Sequence, residues 1–214
     1  LTPHLLRGEN QITVVIDGSE NPEIAPFGGQ IDYLTFAGIY RHVLLKTTDD
    51  LRIKNVQAIA GNVLADEKTL NVTIFLEQVA AGDHQGELVA QLTTLEGDVV
   101  ATHSQAISGS FPRVEFSLSN LTGIRLWDVD NPALYQLNIS IGGTNFSHQF
   151  STRVGFRQAE FTADGFLLNG RKLKLRGINR HQSYPYVGYA MGDHAQKADA
   201  DLIKNEFKFN LVRT

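Results

Sequence analysis

The chain has 214 residues, a formal net charge of −4 and a pI near 6.0, and it contains no cysteine. This balance offers neither a basic footprint for nucleic acid nor a polybasic segment for a membrane surface. Disulfide frameworks and cysteine-ligated zinc are excluded, and no apolar run approaches the roughly 20 residues of a membrane-spanning helix.

Residues 1–10 lack the charged and apolar regions of a secretory signal. The single methionine is Met191, and the apolar run at 209–214 continues to the last residue. These features lead us to expect an internal piece of a longer, cytoplasmic protein. Most of the chain reads as strand. Residues 11–16 and 39–46 are β-branched runs, the second interrupted by Arg41. In 51–60 the candidate core positions are Leu51, Ile53 and Val56. In 70–79, Leu70, Val72, Ile74 and Leu76 recur at period two and share one face. Segments 88–95, 99–107, 114–118, 134–141 and 145–154 continue the series. Turn signals separate them, among them Gly82-Asp83, Glu96-Gly97-Asp98, Ser108-Gly109 and Gly142-Gly143. About seven short strands at this spacing predict an immunoglobulin-like sandwich over 47–153.

The pattern then changes. Asn169-Gly170 lies between 166–168 and 171–176, and an Asn-Gly pair suits the positive φ angles of a type I′ hairpin turn. The second arm continues as strand toward Arg180. Residues 194–207 read as a helix with Ala198, Leu202 and Phe207 toward a core. Strand resumes at 210–213, which makes the start of a βαβ arrangement. In a βα barrel, residues at the C-terminal ends of strands face the active site. Asn179, Arg180, His181 and, on the next strand, Arg213 fall at such ends. His103 and His148 lie in sandwich strands without metal-ligand spacing and read as structural or exposed.

Five segments in order carry a family resemblance. They are Gly38-Ile39-Tyr40-Arg41-His42-Val43, Trp127 with Asn131-Pro132-Ala133-Leu134-Tyr135, Val154-Gly155-Phe156-Arg157, Leu175-Arg176-Gly177-Ile178-Asn179-Arg180-His181 and Asn210-Leu211-Val212-Arg213-Thr214. Together they resemble family 2 glycoside hydrolases, and Gln182-Ser183-Tyr184-Pro185-Tyr186 is most similar to the β-galactosidase branch. The resemblance implies a mainly β chain. Residues 1–46 would be the end of a sugar-binding jelly roll, 47–153 the sandwich, and 154–214 the start of a (β/α)8 barrel. It implies a retaining β-galactosidase parent acting on a β-galactoside such as lactose, with other family 2 glycosidases or a free-standing carbohydrate-binding sandwich as alternatives. His181 matches a histidine that contacts the galactosyl ring. Arg213 matches an arginine that contacts the sugar or buttresses catalytic acids, and Asn179 and Arg180 stand behind His181. Asp32 matches a position beside the sugar and a sodium ion. Magnesium ligands and both catalytic glutamates are expected beyond Thr214, so Glu160 and Glu206 are not candidates and the piece alone should be inactive. A homo-oligomer is expected, with exposed strand edges available for self-association.

Overall fold

A computed structural model describes residues 4–19, 21, 23, 36–78, 84–109 and 112–214. They form two compact units, Leu45–Leu175 and the pair of segments Leu1–Leu44 with Arg176–Thr214.

The larger unit is built on seven strands: β1 (Leu51–Gly61), β2 (Lys68–Gln78), β3 (His84–Thr94), β4 (Val99–Gly109), β5 (Arg113–Leu121), β6 (Tyr135–Gly143) and β7 (Ser147–Val154). They make two antiparallel sheets, one in the order β1-β2-β5 and the other β4-β3-β6-β7. This is the expected immunoglobulin-like sandwich. The alternation in the sequence becomes its core: Leu70, Val72 and Ile74 on β2 face Leu88, Ala90 and Leu92 on β3 and Leu137, Ile139 and Ile141 on β6, all essentially without solvent exposure. Each fully buried aliphatic side chain contributes about 1.5–3 kcal/mol relative to remaining exposed. In β1 the register slips at Lys54, between the pairs Ile53↔Leu76 and Asn55↔Phe75. This bulge returns Val56 to the inner face after Leu51 and Ile53, which explains the broken alternation.

The loop between β5 and β6 is held to the sandwich by a cluster of aromatic side chains. Tyr135, buried at the start of β6, accepts a hydrogen bond from the Arg125 N–H at 2.9 Å. This is the tyrosine corner of immunoglobulin-like sandwiches. Phe156 stands edge-on to Tyr135 at 5.5 Å and is completely buried. The Trp127 N–H donates to the Phe156 carbonyl at 2.9 Å, and the Arg157 guanidinium lies 5.0 Å above the Trp127 ring. A Cβ on Gly155 would sit 3.1 Å from the Trp127 side chain, so the backbone approaches the indole closely only because no side chain intervenes. Two of the motifs noted in the sequence are therefore one packing unit.

A small antiparallel sheet follows, made of β8 (Ala159–Thr162), β9 (Gly165–Leu168) and β10 (Arg171–Lys172). Asn169 and Gly170 have φ of 52° and 74° and form the anticipated turn between β9 and β10. Asn169 is also a fastener: its side-chain Oδ1 accepts from the Gln158 N–H at 3.0 Å, and its Nδ2 donates to the Trp127 carbonyl at 3.0 Å.

In the smaller unit, β11 (Gly177–Asn179) and β12 (Leu211–Arg213) pair in parallel, with helix α1 (Asp193–Asp201) and a π-helical turn (Leu202–Glu206) between them. The strand–helix–strand expectation holds, but three details differ from what the sequence pattern predicts. Residues 11–16 and 39–46 have no ladder among the described residues and stay exposed, because a β-branched run becomes strand only when another backbone takes its hydrogen bonds. The arm after Asn169-Gly170 is strand only at β10, and 173–176 belong to no strand before β11, although the Leu173 N–H still donates to the Phe166 carbonyl at 2.9 Å. Finally, Ala198, Leu202 and Phe207 are exposed rather than packed, since no described layer covers that side of the helix.

Candidate functional site

The C-terminal ends of β11 and β12 open on a cleft of about 470 Å3 within the smaller unit. Asn179, Arg180 and His181 reach it from β11, and Arg213 from β12. The register makes this inevitable: Asn179 pairs with Arg213, and the Arg180 N–H donates to the Arg213 carbonyl at 2.8 Å. The start of the pair is fixed as well. Asn210 and Leu211 N–H both donate to the Arg176 carbonyl, and Asn210 Oδ1 accepts from the Arg176 N–H at 2.8 Å.

Arg180 commits its side chain to helix α1. Its side chain is 13% exposed, and its Nε and Nη2 donate to Asp199 Oδ2 at 2.9 and 2.6 Å. Nη2 also donates to Gln196 Oε1 at 2.9 Å and reaches Met191 Sδ at 3.4 Å. Arg180 thus pins α1 to the strand that carries His181. That anchor matters because α1 buries none of its own residues.

Tyr40, Arg41 and Tyr189 also line this cleft. Arg41 donates from Nη1 to the Tyr189 carbonyl and to its neighbour's carbonyl at Tyr40, and its guanidinium lies 5.1 Å over the Tyr40 ring. The Tyr189 ring packs against Tyr40 at 5.5 Å and edge-on against Phe36 at 4.9 Å. The Gly38–Val43 motif is the only signal in the sequence. Its arginine and aromatic residue brace the loop that follows β11, a role invisible until residues 148 positions apart are brought together.

Among the described residues the wall of the cleft contains three arginines, Arg41, Arg180 and Arg213, together with His181, and no Asp or Glu side chain. Arg41 is engaged by carbonyls and Arg180 by Asp199, whereas Arg213 has no ion pair among the described residues. Asp32 lies outside the described residues. Glu160, on β8, and Glu206, on the π-helical turn, are exposed and are not part of the cleft. His103 stacks on Phe116 at 4.1 Å, and His148 Nδ1 accepts from the Ile53 N–H at 3.3 Å, so both serve the sandwich. Among the described residues no group of three or more His, Asp or Glu could hold a metal ion, so the magnesium and sodium implied by resemblance have no donor set there.

Comparison with known proteins agrees with this geometry. The profile of glycosyl hydrolases family 2 matches residues 51–157, and that of the glycosyl hydrolases family 2 TIM barrel domain matches 159–214. A β-galactosidase of Thermoanaerobacterium thermosulfurigenes is 45% identical over 96% of this chain, and one of Rhizobium meliloti is 45% identical over 100%. The chain spans only 29% and 28% of the length of these two relatives. Among solved structures, a β-glucuronidase of Bacteroides uniformis superposes with a TM-score of 0.80 over 93% of this chain and 25% of its own, at 26% identity. The first profile covers the sandwich, with its tyrosine corner and the Trp127–Phe156 cluster, and the second covers the strands that carry His181 and Arg213; the chain belongs to family 2 of the glycosyl hydrolases.

Proposed function

We propose that this chain is part of a retaining β-galactosidase that releases terminal β-D-galactosyl groups from galactosides such as lactose. The observation that carries the reading is the meeting of Asn179, His181 and Arg213 in one cleft, at the strand ends of a chain 45% identical to two β-galactosidases. In this reading His181 hydrogen-bonds a galactosyl hydroxyl, with Asn179 beside it. Arg213, a cation without an ion partner among the described residues, orients a catalytic carboxylate or meets the sugar itself. Asp32 is assigned to the sugar and sodium side of the site. Residues 1–46 would belong to a jelly roll, 47–153 to the sandwich and 154–214 to the first turn of the barrel. Magnesium and sodium sites would draw on residues other than those described. The parent would be a cytoplasmic homo-oligomer; no helix among the described residues is long and apolar enough to cross a membrane.

Retaining hydrolysis needs two carboxylates about 5–5.5 Å apart, one as acid/base and one as nucleophile. Among the described residues the cleft contains neither, so the 214-residue chain alone should not hydrolyse aryl β-galactosides. A competing reading follows from the cationic wall, because Arg213 would also suit the carboxylate of a uronic acid, as in a β-glucuronidase. Hydrolysis of aryl galactosides against aryl glucuronides by the whole enzyme separates the two. Preference for the glucuronide would overturn the galactosidase reading, and turnover by the isolated 214 residues would overturn the expectation of inactivity.

A further inference from the structure

Asn169-Gly170 is the only Asn-Gly pair in the sequence, and it forms the two-residue turn that joins Leu168 to its ladder partner Arg171. Such a pair can react with itself. The Gly170 backbone nitrogen, once deprotonated, attacks Asn169 Cγ, and glycine obstructs the approach least because it has no side chain. An N–Cγ bond forms, the Cγ–Nδ2 bond breaks, and Nδ2 leaves as ammonia with a proton in place of the one Gly170 lost. The succinimide ring then adds one water. Opening at Cγ gives aspartate. Opening at the Asn169 backbone carbonyl gives isoaspartate, in which the main chain runs through Cγ. The net change is amide plus water to carboxylic acid plus ammonia, so water is the only co-reactant.

The folded turn opposes the first step. With φ of 52° and 74°, Asn169 and Gly170 hold the two central positions of a type I′ turn. A non-glycine residue at such a φ has ψ of about 30–60°. This sets the Gly170 nitrogen trans to Asn169 Cβ across the Cα–C bond. A five-membered ring needs that nitrogen eclipsed with Cβ, so the peptide plane between the two residues must flip first. The flip puts Asn169 in a conformation that hairpin turns reserve for glycine at the first central position. The residue is tethered as well. Its N–H donates to the Gln158 carbonyl at 2.8 Å, Oδ1 accepts from the Gln158 N–H at 3.0 Å, and Nδ2 donates to the Trp127 carbonyl at 3.0 Å. Gly170 itself is exposed, so hydroxide and water reach it whenever the turn flips.

We propose that Asn169-Gly170 is a site of spontaneous deamidation that the turn holds closed in the fold, and that its conversion releases the fastening at Trp127. The aspartate product keeps an acceptor for Gln158 but sets a second oxygen against the Trp127 carbonyl, where only a donor fits. The isoaspartate product adds an atom to the main chain, and the two-residue turn no longer closes Leu168 on Arg171.

The test follows conversion of Asn169 by peptide mapping and mass spectrometry in mildly alkaline buffer. Three samples are compared: the native 214-residue chain, the same chain in urea, and a synthetic peptide of residues 165–173. The peptide and the unfolded chain should convert at similar rates, and the native chain at least about thirtyfold more slowly, the factor set by losing two hydrogen bonds to open the turn. In the Asn169→Asp chain, amide exchange over 155–172 should be about tenfold faster than in wild type, with β2, β3 and β6 unaffected. Native conversion as fast as that of the peptide overturns closure by the turn. Absence of conversion in the unfolded chain removes the site, and unaltered exchange in Asn169→Asp removes the release of the fastening.

Discussion

His181 and Glu77 illustrate what single residues contribute. If His181 binds a sugar hydroxyl, His181→Ala in the whole enzyme removes one hydrogen bond of about 2 kcal/mol, which lowers kcat/KM roughly thirtyfold. The loss should be in kcat/KM for galactosides with the unfolding midpoint unchanged, since the side chain is exposed. Equal kcat/KM in the variant would remove His181 from the site. Glu77 concerns stability. Arg52 donates to its carboxylate from Nε at 2.8 Å, and this bond holds the Glu77 carboxyl below its ordinary value of 4.5. A lowered folded value favours the ionised form in the fold. The contribution is therefore complete above the ordinary value and disappears as pH falls through the lowered one. Glu77→Gln should destabilise the chain at neutral pH and leave it equal to wild type in strong acid, as urea unfolding against pH would report. A destabilisation independent of pH would mean that the charge is not what counts. At this scale the sequence is only half legible. Trp127, Tyr135 and Phe156 stand out as motif residues, but that they touch one another is written in no local pattern.

Secondary elements are legible where the residues themselves decide them. The period-two runs of β2, β3 and β6 bury one face of each strand, and Asn169-Gly170 can form a tight turn with no outside help. Where an element needs a partner, pattern fails. Residues 11–16 and 39–46 have strand composition but no strand beside them among the described residues, and the apolar side of the helix finds nothing there to cover it. Helix α1 is the instructive case. It is short, buries none of its residues and has no side-chain N-cap, so its position rests on the Arg180 contacts with Asp199 and Gln196. Arg180→Ala should speed amide hydrogen exchange across Asp193–Asp201 by an order of magnitude or more, with β1–β7 unaffected; a charge-assisted bond of about 1.5–3 kcal/mol corresponds to that change. Unaltered exchange in α1 would show that something other than Arg180 holds it.

At the scale of the whole molecule, the two units have unequal means of support. Leu45–Leu175 contains every strand of the sandwich, the continuous core and the Trp127–Asn169 fastening. Expressed alone, residues 45–175 should unfold in one cooperative transition with a midpoint within a few degrees of the full chain; a molten, non-cooperative product would refute this. The cleft can be foreseen in outline because strand ends are short-range features: Asn179, His181 and Arg213 sit where parallel strands must place them. Its other wall cannot, since Tyr40 and Arg41 meet Tyr189 only across a sequence separation of 148 residues that no spacing rule encodes.

The Asn169 fastening also bears on the order in which the protein is made. Ribosomes extend chains at about 5–20 residues per second, and domains generally fold as they emerge. Every ladder partner of β1–β7 lies at or before Val154, and the Gln158 and Trp127 bonds close as soon as Asn169 is out. The sandwich can therefore be finished and locked while β11 still waits for β12, and the cleft, whose Tyr40 and Arg41 emerge first and whose Arg213 emerges last, closes only after the larger unit has folded.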